Sequence, residues 1–217
     1  MLPSYTQLGM AALLPAGAME VDPATANVTK GGEPTDGIAN RQKIVEAAVP
    51  GAVLVQASTV LEGGLPDVAA APLVVVYHNA IDKCGDARDT EGEVFAACED
   101  AICQVAAIAG ELLRAGCGKV VVTADHGFLY QDQAVEEFNY AVVDGLGDLM
   151  HAEGRRLSHG RRFAVGDEVP KSDSLIEYSS AQLSLDGEER FAFPRGVARL
   201  RLRGSGARFV HGGASLQ

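Results

Sequence analysis

The 217-residue sequence has no apolar run near the ~18 residues a membrane-spanning helix needs, which excludes one. Its opening, MLPSYTQLGMAALLP, is apolar but has no basic flank, so it does not read as a signal peptide. Cysteine is scarce: Cys84, Cys98, Cys103 and Cys117 form no C-x-x-C pair. They read as reduced, mostly buried thiols of a cytoplasmic protein. Positive charge is also short, with 18 Lys and Arg against 29 Asp and Glu and a net charge of −11. Such a chain repels nucleic acid at long range, and bound divalent cations would offset part of that locally. No internal repeat or clean linker is visible, so 1–217 reads as one domain with a sizeable core.

What is present has an α/β pattern. Leu73–Tyr77 and Lys119–Thr123 are short, β-branched apolar runs, as in strands buried on both faces of a parallel sheet. Between them Val94, Phe95, Cys98, Ile102, Val105, Ile108, Ala109, Leu112 and Leu113 recur at helical spacing. Thr90 and Glu93 suggest a capping box, and Gly116 and Gly118 a stop. Residues 134–150 predict a second helix. Residues 16–40, 61–71 and 165–188 read as irregular surface excursions, and Phe191–Val210 as short strands. Along 197–203, Ala198, Leu200 and Leu202 alternate with Arg199, Arg201 and Arg203. That arginine face, with Arg195 and Arg208 nearby, could track a phosphate backbone; the competing reading is a charged face guarding an edge strand.

Ligands of open α/β sheets bind beyond the carboxyl ends of strands. Three apolar runs are followed by acidic or histidine residues: Asp82 and Asp86 after the first, Asp125-His126-Gly127 after the second, and His211-Gly212-Gly213 after Phe209-Val210. Carboxylate and imidazole together suit hard and borderline divalent metals. Each has a plainer reading as a turn former or cap. His78 reads as a satisfied core or hinge histidine. His159, among Arg155, Arg156, Arg161 and Arg162, reads as surface or phosphate-contacting.

The segments PSYTQLGMAALLP, YHNAIDKCGDARD, TADHGFLY and HGGASLQ, in this order, resemble the PglZ domain, a branch of the alkaline phosphatase superfamily. The resemblance implies an alkaline-phosphatase-like core with a mostly parallel central sheet flanked by helices. It implies a phosphatase or phosphodiesterase with two divalent ions, zinc first, with manganese or magnesium as alternatives. Thr6 matches the nucleophile that opens a helix, with Ser4 the weaker candidate and a plain helix cap the competing role for Thr6. Asp82 matches the first ligand of one metal, Asp86 stands where relatives carry His, and His211 matches the distant His, with His159 as runner-up. Asp125 and His126 match the pair on the second metal. A further ligating Asp on a strand upstream of the nucleophile has no counterpart, so the chain is expected to be a piece of a longer protein, truncated at both ends.

The implied chemistry is attack by Thr6 on a phosphate ester and hydrolysis of the phospho-threonine by water. The implied setting is a BREX-type phage-defence system, with other defence proteins as partners, no membrane, and a nucleic-acid, nucleotide or protein phosphate as substrate. A sulfatase would need Cys or Ser where Thr6 stands. A mutase would need a sugar-phosphate cap. A non-catalytic scaffold binding partners in a defence or signalling complex is the remaining alternative.

Overall fold

The computed structural model describes residues 4–143, 154, 156–202 and 208–214. The chain divides into two compact units, one of Met1–Asp36 with Asp125–Gln217, the other of Gly37–Ala124.

The first unit opens with α1 (Thr6–Ala12) and an antiparallel meander of β1 (Met19–Val21), β2 (Val28–Lys30) and β3 (Glu33–Pro34). Residues 16–40 are therefore not the surface excursion expected. Met19, Val21, Ala26 and Val28 are buried against Tyr5, Leu8 and Ala11 of the α1 segment. The turn residues between them masked a period-2 pattern only three residues long per strand.

The second unit holds α2 (Gly37–Ala48), β4 (Val53–Gln56), α3 (Ala57–Leu61), β5 (Val74–Tyr77), α4 (Ala80–Gly85) and α5 (Val94–Arg114). β4 and β5 pair in parallel, Val53 against Val74 through Gln56 against Tyr77. Ile108 and Leu112 of α5 pack with Val60, Val74 and Val76. The Gln42 side chain of α2 serves the free edge of β4: its amide nitrogen donates to Ala52 O at 2.7 Å and its oxygen accepts from Leu54 N at 2.9 Å. The expected helix and first strand are thus present. The capping box is not: the Thr90 hydroxyl donates to Cys84 O at 2.6 Å and caps nothing. Lys119–Thr123 forms no ladder either. Val120 packs on the α5 cluster, but Val121 and Val122 are exposed, and an apolar run without a paired neighbour is no strand.

The rest of the first unit is antiparallel: β6 (Phe128–Tyr130), β7 (Leu157–His159), β8 (Ala164–Gly166), β9 (Leu175–Ser179), β10 (Arg190–Pro194) and β11 (Phe209–His211). β7, β8, β10 and β9 form a four-stranded sheet in that order, and β11 pairs with β6. β10 is buried on both faces. Phe191 and Phe193 meet Val165, Tyr5 and Leu8 on one side, and Ala192 meets Ala164, Leu175 and Leu200 on the other.

A mostly parallel central sheet is therefore corrected to several small, mainly antiparallel sheets with one parallel pair. The stretch 165–188 is not wholly an excursion: it carries the end of β8 and all of β9, joined by turns. The helix expected over 134–150 reduces to a 3-10 turn at Glu137–Asn139, and 144–150 lie outside the described residues. The Gln131 amide and the Glu136 backbone N–H both bind the Asn139 side chain, a local closure that competes with helix. No described helix is long and apolar enough to cross a membrane.

Candidate active site

The site is built by backbone pairing at the start of α1. Ser4 and Gly213 exchange two hydrogen bonds, 3.0 and 2.7 Å, and Gly212 N donates to Gly127 O at 3.1 Å. Together with the β6–β11 ladder, in which His211 faces Phe128, this brings three distant segments side by side. Tyr5 anchors the entry to α1. Its ring is buried, stacks on Phe163 at 4.1 Å and donates its hydroxyl to Ala26 O at 3.1 Å, and burial pushes the phenol well above its usual pKa. Tyr5 is buried and Thr6, next to it, is half-buried.

Three glycines make the approach possible. A Cβ on Gly9 would lie 2.4 Å from the Asp125 carbonyl oxygen, so α1 touches the Asp125 backbone directly. Gly212 and Gly213 have φ of +72° and +100°, and a Cβ on Gly212 would lie 2.6 Å from Ser4 O.

Thr6 Oγ1 lies 3.1 Å from His126 Nε2 and 3.4 Å from His211 Nδ1. The two imidazoles stack, with centroids 4.5 Å apart and planes 19° from parallel. The His126 side chain is only 4% exposed. Its Nδ1 lies 3.2 Å from Gly127 O, and a carbonyl can only accept, so Nδ1 carries the proton. Nε2 faces the Thr6 hydroxyl. Asp125 Oδ2 lies 3.2 Å from the same Nε2. Two acceptors at that distance are stable when a cation lies between them, either a proton on Nε2 or a metal ion bound by both. The Thr6 hydroxyl caps nothing; Tyr5 is the residue at the cap position.

Thr6, Asp125, His126 and His211 are thus brought together within the first unit. They converge through an antiparallel pair and a bridge, with Asp125-His126 just ahead of β6. Asp82 and Asp86 lie in the second unit, in the first turn of α4 and at its C-terminal cap, with Asp86 N donating to Asp82 O at 2.9 Å. There His78 Nε2 donates to Gln104 Oε1 at 2.9 Å, the satisfied histidine expected. His159, on β7, is half-buried with Nδ1 3.3 Å from Gly160 O.

Among the described residues, the expected alternation does not set the arginines on one face. Arg199 is 3% exposed and donates to Gln131 Oε1 at 3.2 Å. Arg201 pairs with Glu137 and stacks on Tyr140 at 4.2 Å. Arg203 lies outside the described residues. Arg195 donates to Asp173 O at 2.9 Å and Arg208 to Gln131 O at 3.1 Å. Residues 197–202 run beside Tyr140 through a single bridge, so strict alternation does not sort the side chains.

Carboxylate, imidazole and hydroxyl are donors that zinc or manganese accepts. Among the described residues, no three His, Cys, Asp or Glu side chains close around one point.

A family model for the BREX system PglZ alkaline phosphatase-like domain matches residues 1–217. The chain belongs to the PglZ family. It is 33% identical over 223 residues to the alkaline phosphatase-like protein BrxZ of Escherichia coli O9:H4 (strain HS). It is 30% identical over 222 residues to the alkaline phosphatase-like protein PglZ of Bacillus cereus (strain H3081.97). Each alignment covers 100% of this chain and 25% of the relative, so the chain spans a quarter of their length. No solved structure matches the chain.

The sequence singles out neither Tyr5 nor Gly9, and it offers Ser4 only as the weaker nucleophile candidate, Gly212 only beside His211 and Arg162 only as a neighbour of His159, yet these residues shape the site. Gly9 carried a signal, since a glycine inside an apolar helical run costs ~1 kcal/mol and so points to a close approach.

Proposed function

We propose that this PglZ-family domain is a metal-dependent phosphoryl-transfer hydrolase whose nucleophile is Thr6. The observation that supports the proposal is the Thr6 hydroxyl 3.1 and 3.4 Å from nitrogens of two stacked histidines, with the Asp125 carboxylate 3.2 Å from His126 Nε2. Neither a helix cap nor a core threonine needs such surroundings.

Asp125 and His126 would hold one divalent ion and His211 would contribute to a second; Asp82 and Asp86 are proposed as ligands on their sequence motif alone. Bound ions would neutralise the phosphate and lower the pKa of the attacking oxygen. The rest is done by the chain. The bridge of Ser4 to Gly213 and the burial of Tyr5 fix Thr6 Oγ1 before substrate arrives. Thr6 Oγ1 then attacks phosphorus, the P–O bond to the leaving alcohol breaks, and the threonine proton is lost toward the His126 side. Water afterwards cleaves the Thr6–phosphoryl bond and restores the hydroxyl.

The substrate would be a phosphate ester, nucleic acid or nucleotide included, within a BREX-type defence system alongside other defence proteins. Acid quenching during turnover of bis(p-nitrophenyl) phosphate, followed by peptide mapping, tests the scheme. A phosphoryl adduct on Thr6 is expected. Steady turnover with Thr6 unmodified and a different residue carrying the group would overturn it.

A further inference from the structure

We propose that Arg162 is a positioning residue for the Thr6 centre, setting His211 by clamping the Gly212–Gly213 turn. The proposal rests on His211 being part of the site described above.

Arg162 is 1% exposed, the burial of a hydrophobic core residue. Burying a guanidinium is costly unless its donors are satisfied. Here they reach backbone carbonyls on two segments: Nε donates to Gly212 O at 3.4 Å, Nη2 to Gly196 O at 2.9 Å, and Nη1 to Ala198 O. A second observation places the guanidinium against the turn itself. A Cβ on Gly213 would lie 2.6 Å from Nη2, 2.7 Å from Nε and 2.9 Å from Cζ, so the planar group rests on the Gly213 Cα. Gly213 is the residue paired with Ser4, two positions before Thr6.

The neighbouring Arg161 acts from the other side of the histidine, donating Nη1 to Phe209 O at 2.7 Å. Two consecutive arginines therefore hold the carbonyls of residues 209 and 212, which flank His211. Only a planar fork can span several carbonyls in fixed directions; a lysine ammonium cannot. Burial, with Arg199 adding repulsion, holds the Arg162 pKa down to about 10, so it stays charged at neutral pH.

The test combines exchange and histidine NMR on the protein. In the wild type, the Arg162 Nε–H should exchange slowly with solvent and show a cross-relaxation peak to Gly213 Hα. Exchange as fast as that of the exposed Arg190 would overturn the proposal. In Arg162→Lys and Arg162→Met, selectively 13C-labelled His211 should lose the ring-current shift of its stack on His126. The Phe191 and Phe193 core resonances should stay in place. Against bis(p-nitrophenyl) phosphate, kcat should fall at least about tenfold with KM nearly unchanged, the pattern of misplaced catalytic groups. An unmoved His211 signal in a folded variant would refute the clamp. If Thr6→Ala leaves hydrolysis intact, the phosphoryl-transfer reading fails by itself, whereas the His211 signal still reports on Arg162.

Discussion

Asp125, His126 and His211 were legible as candidate site residues because Asp and His beside glycine at the ends of apolar runs stand out from their surroundings. The family motif added Thr6. Their mode of convergence was not legible, since it depends on backbone pairing between residues some two hundred positions apart, such as Ser4 with Gly213. Gly9 is where this can be tested at the scale of one atom. Alanine there gains ~1 kcal/mol of helix propensity, but its Cβ would meet the Asp125 carbonyl at 2.4 Å. Overpacking of that kind costs ~1–3 kcal/mol, so the clash wins. Gly9→Ala should lower stability in urea unfolding and displace α1 from Asp125, with loss of hydrolysis. Full activity in that variant would show that the contact does not position Thr6.

Among the elements, α1 is the one the site depends on most. Seven residues are too few for a stable helix in water, where isolated helices need ~12–15, so tertiary contacts must hold it. Lys30 of β2 is one such contact, buried and donating to Ala11 O at 3.0 Å and Leu14 O at 2.6 Å at the end of α1. Desolvation lowers its pKa. Lys30→Met should cost ~1–3 kcal/mol, because two buried carbonyls lose their donor; thermal or urea unfolding measures it.

The β1–β2 connection gives a pH test. The Asp22 carboxylate accepts from Ala24 N at 3.0 Å and from the Thr25 hydroxyl at 2.7 Å, and these bonds lower its pKa below 3.8. A lowered folded-state value means a contribution that is present above pH 3.8 and lost as pH falls through the folded pKa. Asp22→Ala should therefore cost no more than ~1 kcal/mol at neutral pH, since the carboxylate is exposed, and the difference should vanish in strong acid.

The elements also show what periodicity could and could not convey. The α5 helix and β5 were readable because each is long or strongly β-branched, although Phe95, Ile102 and Leu113 of the expected helical pattern are exposed and Ala101 is buried instead. The three-residue strands β1, β2 and β8 were not, because so short an alternation looks like a loop. Lys119–Thr123 was over-read: its composition suits a strand, but a strand also needs a partner.

At the scale of the whole molecule, the chain belongs to the PglZ family, while its mainly antiparallel architecture departs from the parallel sheet its apolar runs suggested. His126→Ala should weaken Mn²⁺ or Zn²⁺ binding in calorimetric titration by more than about tenfold, given what even supporting residues contribute to metal sites. Unchanged affinity would remove His126 from any ligand set.

The most direct measurement is hydrolysis of bis(p-nitrophenyl) phosphate by the wild type, Thr6→Ser and Thr6→Ala, with unfolding midpoints recorded beside the rates. Expected are measurable turnover by Thr6→Ser, a loss of at least about a hundredfold in Thr6→Ala, and midpoints that barely move. A folded Thr6→Ala protein that hydrolyses the diester at the wild-type rate would contradict the assignment of Thr6 as nucleophile.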